Sequence, residues 1–201
     1  WSWGSAWTVW ILPYIEQDNL YNTFNATTTV KTFIDPGRGA AKVASSGDAT
    51  TATGSYFTNS IGAVTDYAGN ALVFTPQTQT FAPLSQYAIA TIPDGSSNTL
   101  FAAIKSMNPT QVSSRVGSNG DQTIAWGGNV PGLIRSGSII VRDGPTIPLT
   151  PVDSNQNWGG TYAGGTIALF GDGSTRTMRH GTPTGTVYAN LTPNGGETPT
   201  N

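Results

Sequence analysis

The chain has 201 residues, enough for one domain with a hydrophobic core, and it lacks cysteine, which excludes disulfides, thiolate zinc sites and a cysteine nucleophile. Only 10% of its residues are charged and the formal net charge is −2, whereas a typical soluble domain has about 25% charged residues. The nine Lys and Arg residues stand singly, so the sequence predicts neither nucleic-acid binding nor attraction to an anionic membrane.

The N-terminal segment predicts one helix over 7–24. Pro13 suits a first helical turn, where its missing N–H costs nothing. Trp10, Tyr14, Tyr21 and Phe24 recur at helical spacing. We therefore expect these four aromatic side chains to be buried against a sheet.

From residue 25 onward, short β-branched runs alternate with Gly, Asn, Asp and Pro, a pattern typical of strands and turns. The clearest hairpin joins 166–170 to 174–178 through Gly171-Asp172-Gly173, where glycine permits positive φ. Further strands are predicted at 66–67 continuing into 71–75, 87–92, 99–107, 122–126, 138–142 and 186–189. The stretch 40–55 reads as a loop, and 192–201 as a flexible tail.

These elements predict a single α+β domain over 1–201 that is mainly β, with an antiparallel sheet packed on an N-terminal helix. Uncharged polar residues must cover much of its surface because charged residues are scarce. That composition is typical of extracellular β-rich proteins, so we expect an extracellular location.

One segment resembles the start of a calcium-binding loop. Asp94, Ser96 and Asn98 place side-chain oxygens at alternate positions, as calcium loops do. Thr99, however, stands where an EF-hand loop has its glycine, and Asp-Gly-Ser is also a common turn sequence. We interpret these three residues and Asp172 as turn residues, with calcium as the weaker alternative and no other cofactor expected.

Nothing in the sequence indicates a catalytic site. His180 is the single histidine, no Gly-x-Ser-x-Gly motif is present, and the eleven acidic residues show no suggestive pairing. We expect His180 to be a surface or loop residue and the protein not to be an enzyme.

Tryptophans are concentrated at the start of the chain. Trp1, Trp3 and Trp7 are candidates for contacts with another subunit, or for stacking on a sugar ring. Asn25 and Asn190 each stand in the Asn-x-Thr pattern of N-glycosylation acceptors, which leaves modification at either position open.

Blocks along the chain resemble one family in the family's own order. They correspond to its "LLPYIEQ–NLY", "NYAGN", "DGTSNT" and "HPGGAN–FADGSVRF" blocks. The family is the prepilin-like domain of unknown function 1559. The matching segments here are 11–17 with 19–21, 66–70, 94–99 and 164–174.

The resemblance implies a pilin-like globular head that follows a hydrophobic N-terminal helix. We interpret the abrupt start at Trp1 as the loss of that helix, through which alone the protein would reach a membrane. The implied function is a structural subunit or minor component of an extracellular type IV pilus-like or pseudopilus-like filament, associating with itself and with other pilins. The alternative is a cell-surface adhesin or carbohydrate-binding module.

Two positions depart from the family pattern. Tyr162 stands ten residues before Asp172, where the family usually has a histidine, and Lys105 stands in a block that usually contains a glutamate. Both departures remove functional groups, which favours a structural role.

Overall fold

The computed structural model describes residues 6–23, 25–39, 43–45, 61–74, 87–108, 124, 133–145 and 157–196. In these ranges the chain is α+β and mainly β, as the sequence predicted. The helices are α1 (Trp7–Trp10), α2 (Asp18–Thr23), α3 (Ala71–Phe74) and α4 (Thr184–Leu191), with 3-10 turns at Leu12–Ile15, Lys31–Phe33, Pro36–Arg38 and Ile89–Thr91. The strands are β1 (Val43–Ser45), β2 (Ile61–Ala63), β3 (Tyr67–Asn70), β4 (Leu100–Ile104), β5 (Ile134–Arg135), β6 (Ile140–Arg142), β7 (Trp158–Gly160), β8 (Thr166–Phe170) and β9 (Thr175–Met178).

The main sheet is mixed rather than antiparallel. Over the described ranges it has five strands in the order β5-β3-β4-β8-β9, and β3 and β5 run parallel while the other pairs are antiparallel. The predicted antiparallel sheet is therefore wrong at this edge. Parallel neighbours need a long connection, and the chain between β3 and β5 provides one by passing through β4.

The β8–β9 hairpin is confirmed. Its strands pair from Thr166 with Met178 to Leu169 with Thr175. The Gly173 N–H donates to the Phe170 carbonyl at 3.0 Å, and Gly173 has φ +83°, the conformation that glycine permits.

The predicted continuous helix over 7–24 is wrong. α1 ends at Trp10, a 3-10 turn follows, and Glu16 adopts a left-handed φ of 61° before α2 begins. Pro13 explains the break, since a proline suits the first turn of a new helix but disrupts the interior of an existing one.

This break changes which side chains face the core. Val9, Leu12 and Leu20 are buried in a cluster that also contains Phe33 and Leu133. Trp10 and Tyr14 are instead 42% and 88% exposed, Tyr21 is half-buried, and Phe24 lies outside the described residues. The predicted burial of Trp10 and Tyr14 is therefore wrong, because aliphatic residues occupy the inward positions.

Three predicted strand segments are also wrong. The predicted continuation of the strand 66–67 into 71–75 is replaced by a helix, because α3 spans Ala71–Phe74. Residues 186–189 lie within α4, where Val187 and Leu191, four residues apart, are both fully buried at helical spacing. Residues 87–92 contain the 3-10 turn Ile89–Thr91. The predicted strand 122–126 and the loop 40–55 lie mostly outside the described residues, although Val43–Ser45 within that loop is a strand.

Candidate functional site

Of the three tryptophans predicted as contact residues, the structure describes one, Trp7. Trp1 and Trp3 lie outside the described residues. Trp7 is half-buried: its indole N–H donates to the Leu133 carbonyl at 2.6 Å, and its ring meets Phe33 edge-on at 6.2 Å between centroids. These contacts make Trp7 part of the core boundary.

Three aromatic residues that follow Trp7 in sequence are exposed or half-buried, and we call Trp10, Tyr14 and Tyr21 the aromatic face. The rings of Trp10 and Tyr21 are 6.4 Å apart and inclined by 55°, while Tyr14 projects into solvent. Exposed aromatic surface of this kind often marks a site of association.

The outer surface of the main sheet carries a second set of exposed apolar side chains. Along β8, Thr166, Ala168 and Phe170 are buried, whereas Ile167 and Leu169 are exposed. β8 lies next to β9, which ends the sheet. Apolar surface is therefore presented by more than one element.

Asp94, the first calcium candidate, holds the C-terminal segment. Its carboxylate accepts from the N–H groups of Gly195 at 2.7 Å and Gly196 at 3.0 Å, and its own N–H donates to the Pro193 carbonyl at 3.2 Å. The Asn98 amide in turn donates to the Asp94 carbonyl at 3.0 Å. The chain near 193–196, part of the predicted flexible tail 192–201, is thus held by hydrogen bonds, and 197–201 lie outside the described residues.

Asp172 and its neighbours form the hairpin turn. The Ser174 N–H donates to the Asp172 carboxylate at 2.9 Å, and hydrogen bonding from Ser174 lowers the pKa of Asp172 below its ordinary value. The turn lies beside the segment that contains Ser96, because the Gly171 N–H donates to the Thr99 carbonyl at 3.0 Å. Within the described ranges, no three His, Asp or Glu side chains are grouped as metal ligands would be.

A buried ion network, which sequence analysis missed, joins three elements. Arg38 in the turn Pro36–Arg38 contacts Asp66 before β3 at 3.3 Å and Asp143 after β6 at 2.8 Å. Lys105 and Arg135 are also buried. Arg38 donates to the Lys105 carbonyl, and Arg135 to the Ser106 carbonyl at 3.2 Å. Such groups are stable in a core only when paired.

Asp35 lies at the edge of this network and is 1% exposed. Its Oδ1 accepts from the Tyr162 hydroxyl at 2.7 Å and from the Gly37 N–H at 3.2 Å, while its own N–H donates to Asp66 Oδ2 at 2.9 Å. Its Oδ2 is buried and has no hydrogen-bond partner among the described residues. Tyr162, where the family usually has a histidine, is thus a donor to a buried carboxylate.

The Asp35 carboxylate contributes to a raised pKa at two tyrosines. The hydrogen bond to Asp35 raises the pKa of Tyr162. Burial, followed by the charges of Asp35 and Asp66, raises the pKa of Tyr67. Both phenols are therefore neutral hydrogen-bonding groups at physiological pH.

His180 contacts the other end of Tyr162. Its Nε2 lies 2.9 Å from the Tyr162 carbonyl, which accepts, so this nitrogen carries the hydrogen. Its Nδ1 is buried without a partner in the part of the chain that the structure describes. The half-buried ring lies in the turn after β9, which agrees with the predicted loop position.

The two Asn-x-Thr sequences differ in accessibility. Asn25 is exposed, and its Oδ1 accepts from the Thr27 N–H at 3.0 Å and hydroxyl at 2.8 Å. Asn190 is buried in α4, and its amide donates to the Thr186 carbonyl at 2.8 Å. In the folded chain, Asn25 is thus accessible for glycosylation and Asn190 is not.

Comparison with known proteins identifies the family. The family model described as "Protein of unknown function (DUF1559)" matches residues 1–183. No curated protein and no solved structure gives a significant match. Among the described residues, every helix is too short or too polar to cross a bilayer. The family match spans nearly the whole sequence, and the chain belongs to the DUF1559 family.

Proposed function

We propose that this protein is a non-enzymatic structural subunit, or minor component, of an extracellular type IV pilus-like or pseudopilus-like filament at the cell surface. The head would contact further copies and other pilins. The hydrophobic helix implied by the family resemblance would anchor it in the membrane and then in the filament. The observation that carries this proposal is the exposure of Trp10 and Tyr14 on the aromatic face.

The local packing supports an association role for these rings. Val9 and Leu12, in the same short segment, are buried, so the segment is well packed while its large rings point outward. Burial of apolar surface contributes about 25 cal/mol per Å². A neighbouring subunit that covered both rings would therefore make the free energy of association more favourable.

The distribution of exposed apolar groups favours a filament over a sugar-binding module. Trp10 and Tyr21 are inclined by 55° and do not form a flat platform for a sugar ring. Ile167 and Leu169 provide apolar surface on a separate element. Contacts between different surfaces of identical subunits build open helical assemblies when the rotation does not close.

The test uses the chain joined to a hydrophobic N-terminal helix of the kind that the family resemblance implies. Trp10→Ser combined with Tyr14→Ser should abolish filaments seen by electron microscopy and shift the protein to small species in sedimentation. Tyr188→Ser is the matched control, because Tyr188 is 48% exposed on α4, and it should leave filaments intact. Normal filament yield from the folded double variant would contradict this role for the aromatic face.

A further inference from the structure

We propose that the site formed by Asp35, Thr161 and Tyr162 binds a primary ammonium group. The ligand is either a small free amine or the side chain of a lysine on another copy of the chain. This inference concerns a site distinct from the aromatic face and does not depend on filament assembly.

Asp35 has a buried carboxyl group that forms no ion pair within the described residues. The nearby Arg38 guanidinium is committed to Asp66 and Asp143. A buried carboxylate is costly unless a cation or hydrogen-bond donors compensate it, and Oδ2 lacks both among these residues.

A further oxygen atom, Thr161 Oγ1, lies on the same side of the Gly37 turn as Asp35 Oδ2. A Cβ placed on Gly37 would lie 2.4 Å from Thr161 Oγ1 and 3.3 Å from Asp35 Oδ2, so both oxygens face the same side of the turn. Burial, followed by the Asp35 carboxylate, raises the pKa of Tyr67, so its phenol is neutral. An ammonium group has three N–H donors, which match a carboxylate oxygen and neighbouring hydroxyl groups.

The same geometry disfavours a divalent metal. The Asp66 carboxylate is occupied, with Oδ1 receiving Arg38 and Oδ2 receiving the Asp35 N–H. Asp35 therefore contributes one uncommitted carboxylate oxygen, whereas calcium takes six to eight oxygen ligands, commonly including several carboxylates. A single positive charge with directional donors fits this site better.

A ligand approaching the Asp35 carboxylate would meet the Tyr162 side chain, whose hydroxyl donates to Oδ1. The Tyr162 side chain covers the carboxylate through its hydroxyl contact, and the residue is 37% exposed. Gly37 is also at the surface. Rotation of the Tyr162 ring would release its hydroxyl from Oδ1 and admit a ligand to the carboxylate, and the ring face could then cover the bound ammonium through a cation–π contact.

The test is an NMR titration of the folded chain with n-butylammonium chloride, observing the ring signals of Tyr67 and Tyr162. We expect saturable shifts with a Kd on the order of 1 mM. Tetramethylammonium chloride, a cation without N–H donors, is the ligand control, and sodium chloride controls for ionic strength. Neither should give saturable shifts.

The protein control is Asp35→Asn, which keeps Oδ1 as acceptor for Tyr162 and Gly37 but removes the charge. It should bind n-butylammonium at least about tenfold more weakly. Equal binding by wild type and Asp35→Asn would overturn the proposal, as would the absence of saturable shifts or a larger saturable response to calcium chloride. If n-butylammonium also dissociates wild-type oligomers in sedimentation, the natural ligand is a lysine of another copy. Unchanged sedimentation together with binding identifies a free amine.

Discussion

At the residue scale, Arg38 makes several long-range polar contacts in the ion network. It bonds to Asp66, Asp143 and the Lys105 carbonyl, residues 28 to 105 positions away in sequence. These contacts fix the turn that carries Asp35 against β3 and the segment after β6. The guanidinium thus stabilises both the fold and the position of the proposed ammonium site.

Replacement of Arg38 should therefore be severe. Arg38→Met leaves two buried carboxylates without their cation and should lower the free energy of unfolding by about 3–5 kcal/mol. Arg179→Met, at an exposed position, should change it by less than about 0.5 kcal/mol. Urea unfolding of both variants measures the difference, and a small loss in Arg38→Met would show that the network does not hold these elements together.

At the element scale, Pro13 interrupts the N-terminal helix and thereby changes which side chains of this segment are buried. Helical periodicity predicted the aromatic residues as the buried set, but Pro13 divides the segment and Glu16 reverses its backbone. Leu12 is then fully buried, and Tyr14 is 88% exposed. The break in the helix therefore leaves Trp10 and Tyr14 of the aromatic face exposed to solvent.

Substitutions of Leu12 and Tyr14, on either side of Pro13, should lower the free energy of unfolding by very different amounts. Leu12→Ala removes a fully buried side chain and should cost about 2–5 kcal/mol. Tyr14→Ala removes a ring that is almost entirely in solvent and should cost less than about 0.5 kcal/mol. Thermal or urea unfolding checks both values, and a larger loss for Tyr14→Ala would restore the aromatic stripe to the core.

The contact between Asp94 and the C-terminal segment gives a further element-scale prediction. Asp94→Ala removes the acceptor of the Gly195 and Gly196 N–H groups, so hydrogen exchange at these two amides should accelerate at least about tenfold. Chelator should leave the wild-type melting temperature unchanged, because Asp94 acts here through main-chain donors. A fall in melting temperature that calcium reverses would instead support the calcium alternative.

At the scale of the whole molecule, local patterns predicted some parts well. The β8–β9 hairpin combines β-branched strands with a Gly-Asp-Gly turn, so its signal is contained in thirteen adjacent residues (166–178). The same holds for β4, predicted at 99–107 and observed at Leu100–Ile104. The class, α+β and mainly β, follows from such segments.

Features that depend on distant contacts could not be predicted. The parallel pairing of β3 with β5 joins residues more than sixty positions apart. The burial of Asp35, Arg38 and Lys105 likewise depends on partners from separate elements, and charged residues are ordinarily expected at the surface. Helix α4 was mistaken for a strand because its β-branched residues favour strands in isolation, whereas its packing selects a helix.

The most direct test of the central claim is electron microscopy of the native cell with a label on the full-length protein. We expect labelled surface filaments in which heads repeat regularly and the aromatic face is covered by a neighbouring head. Label confined to the cell interior, or spread over the surface without filaments, would contradict the proposed filament role.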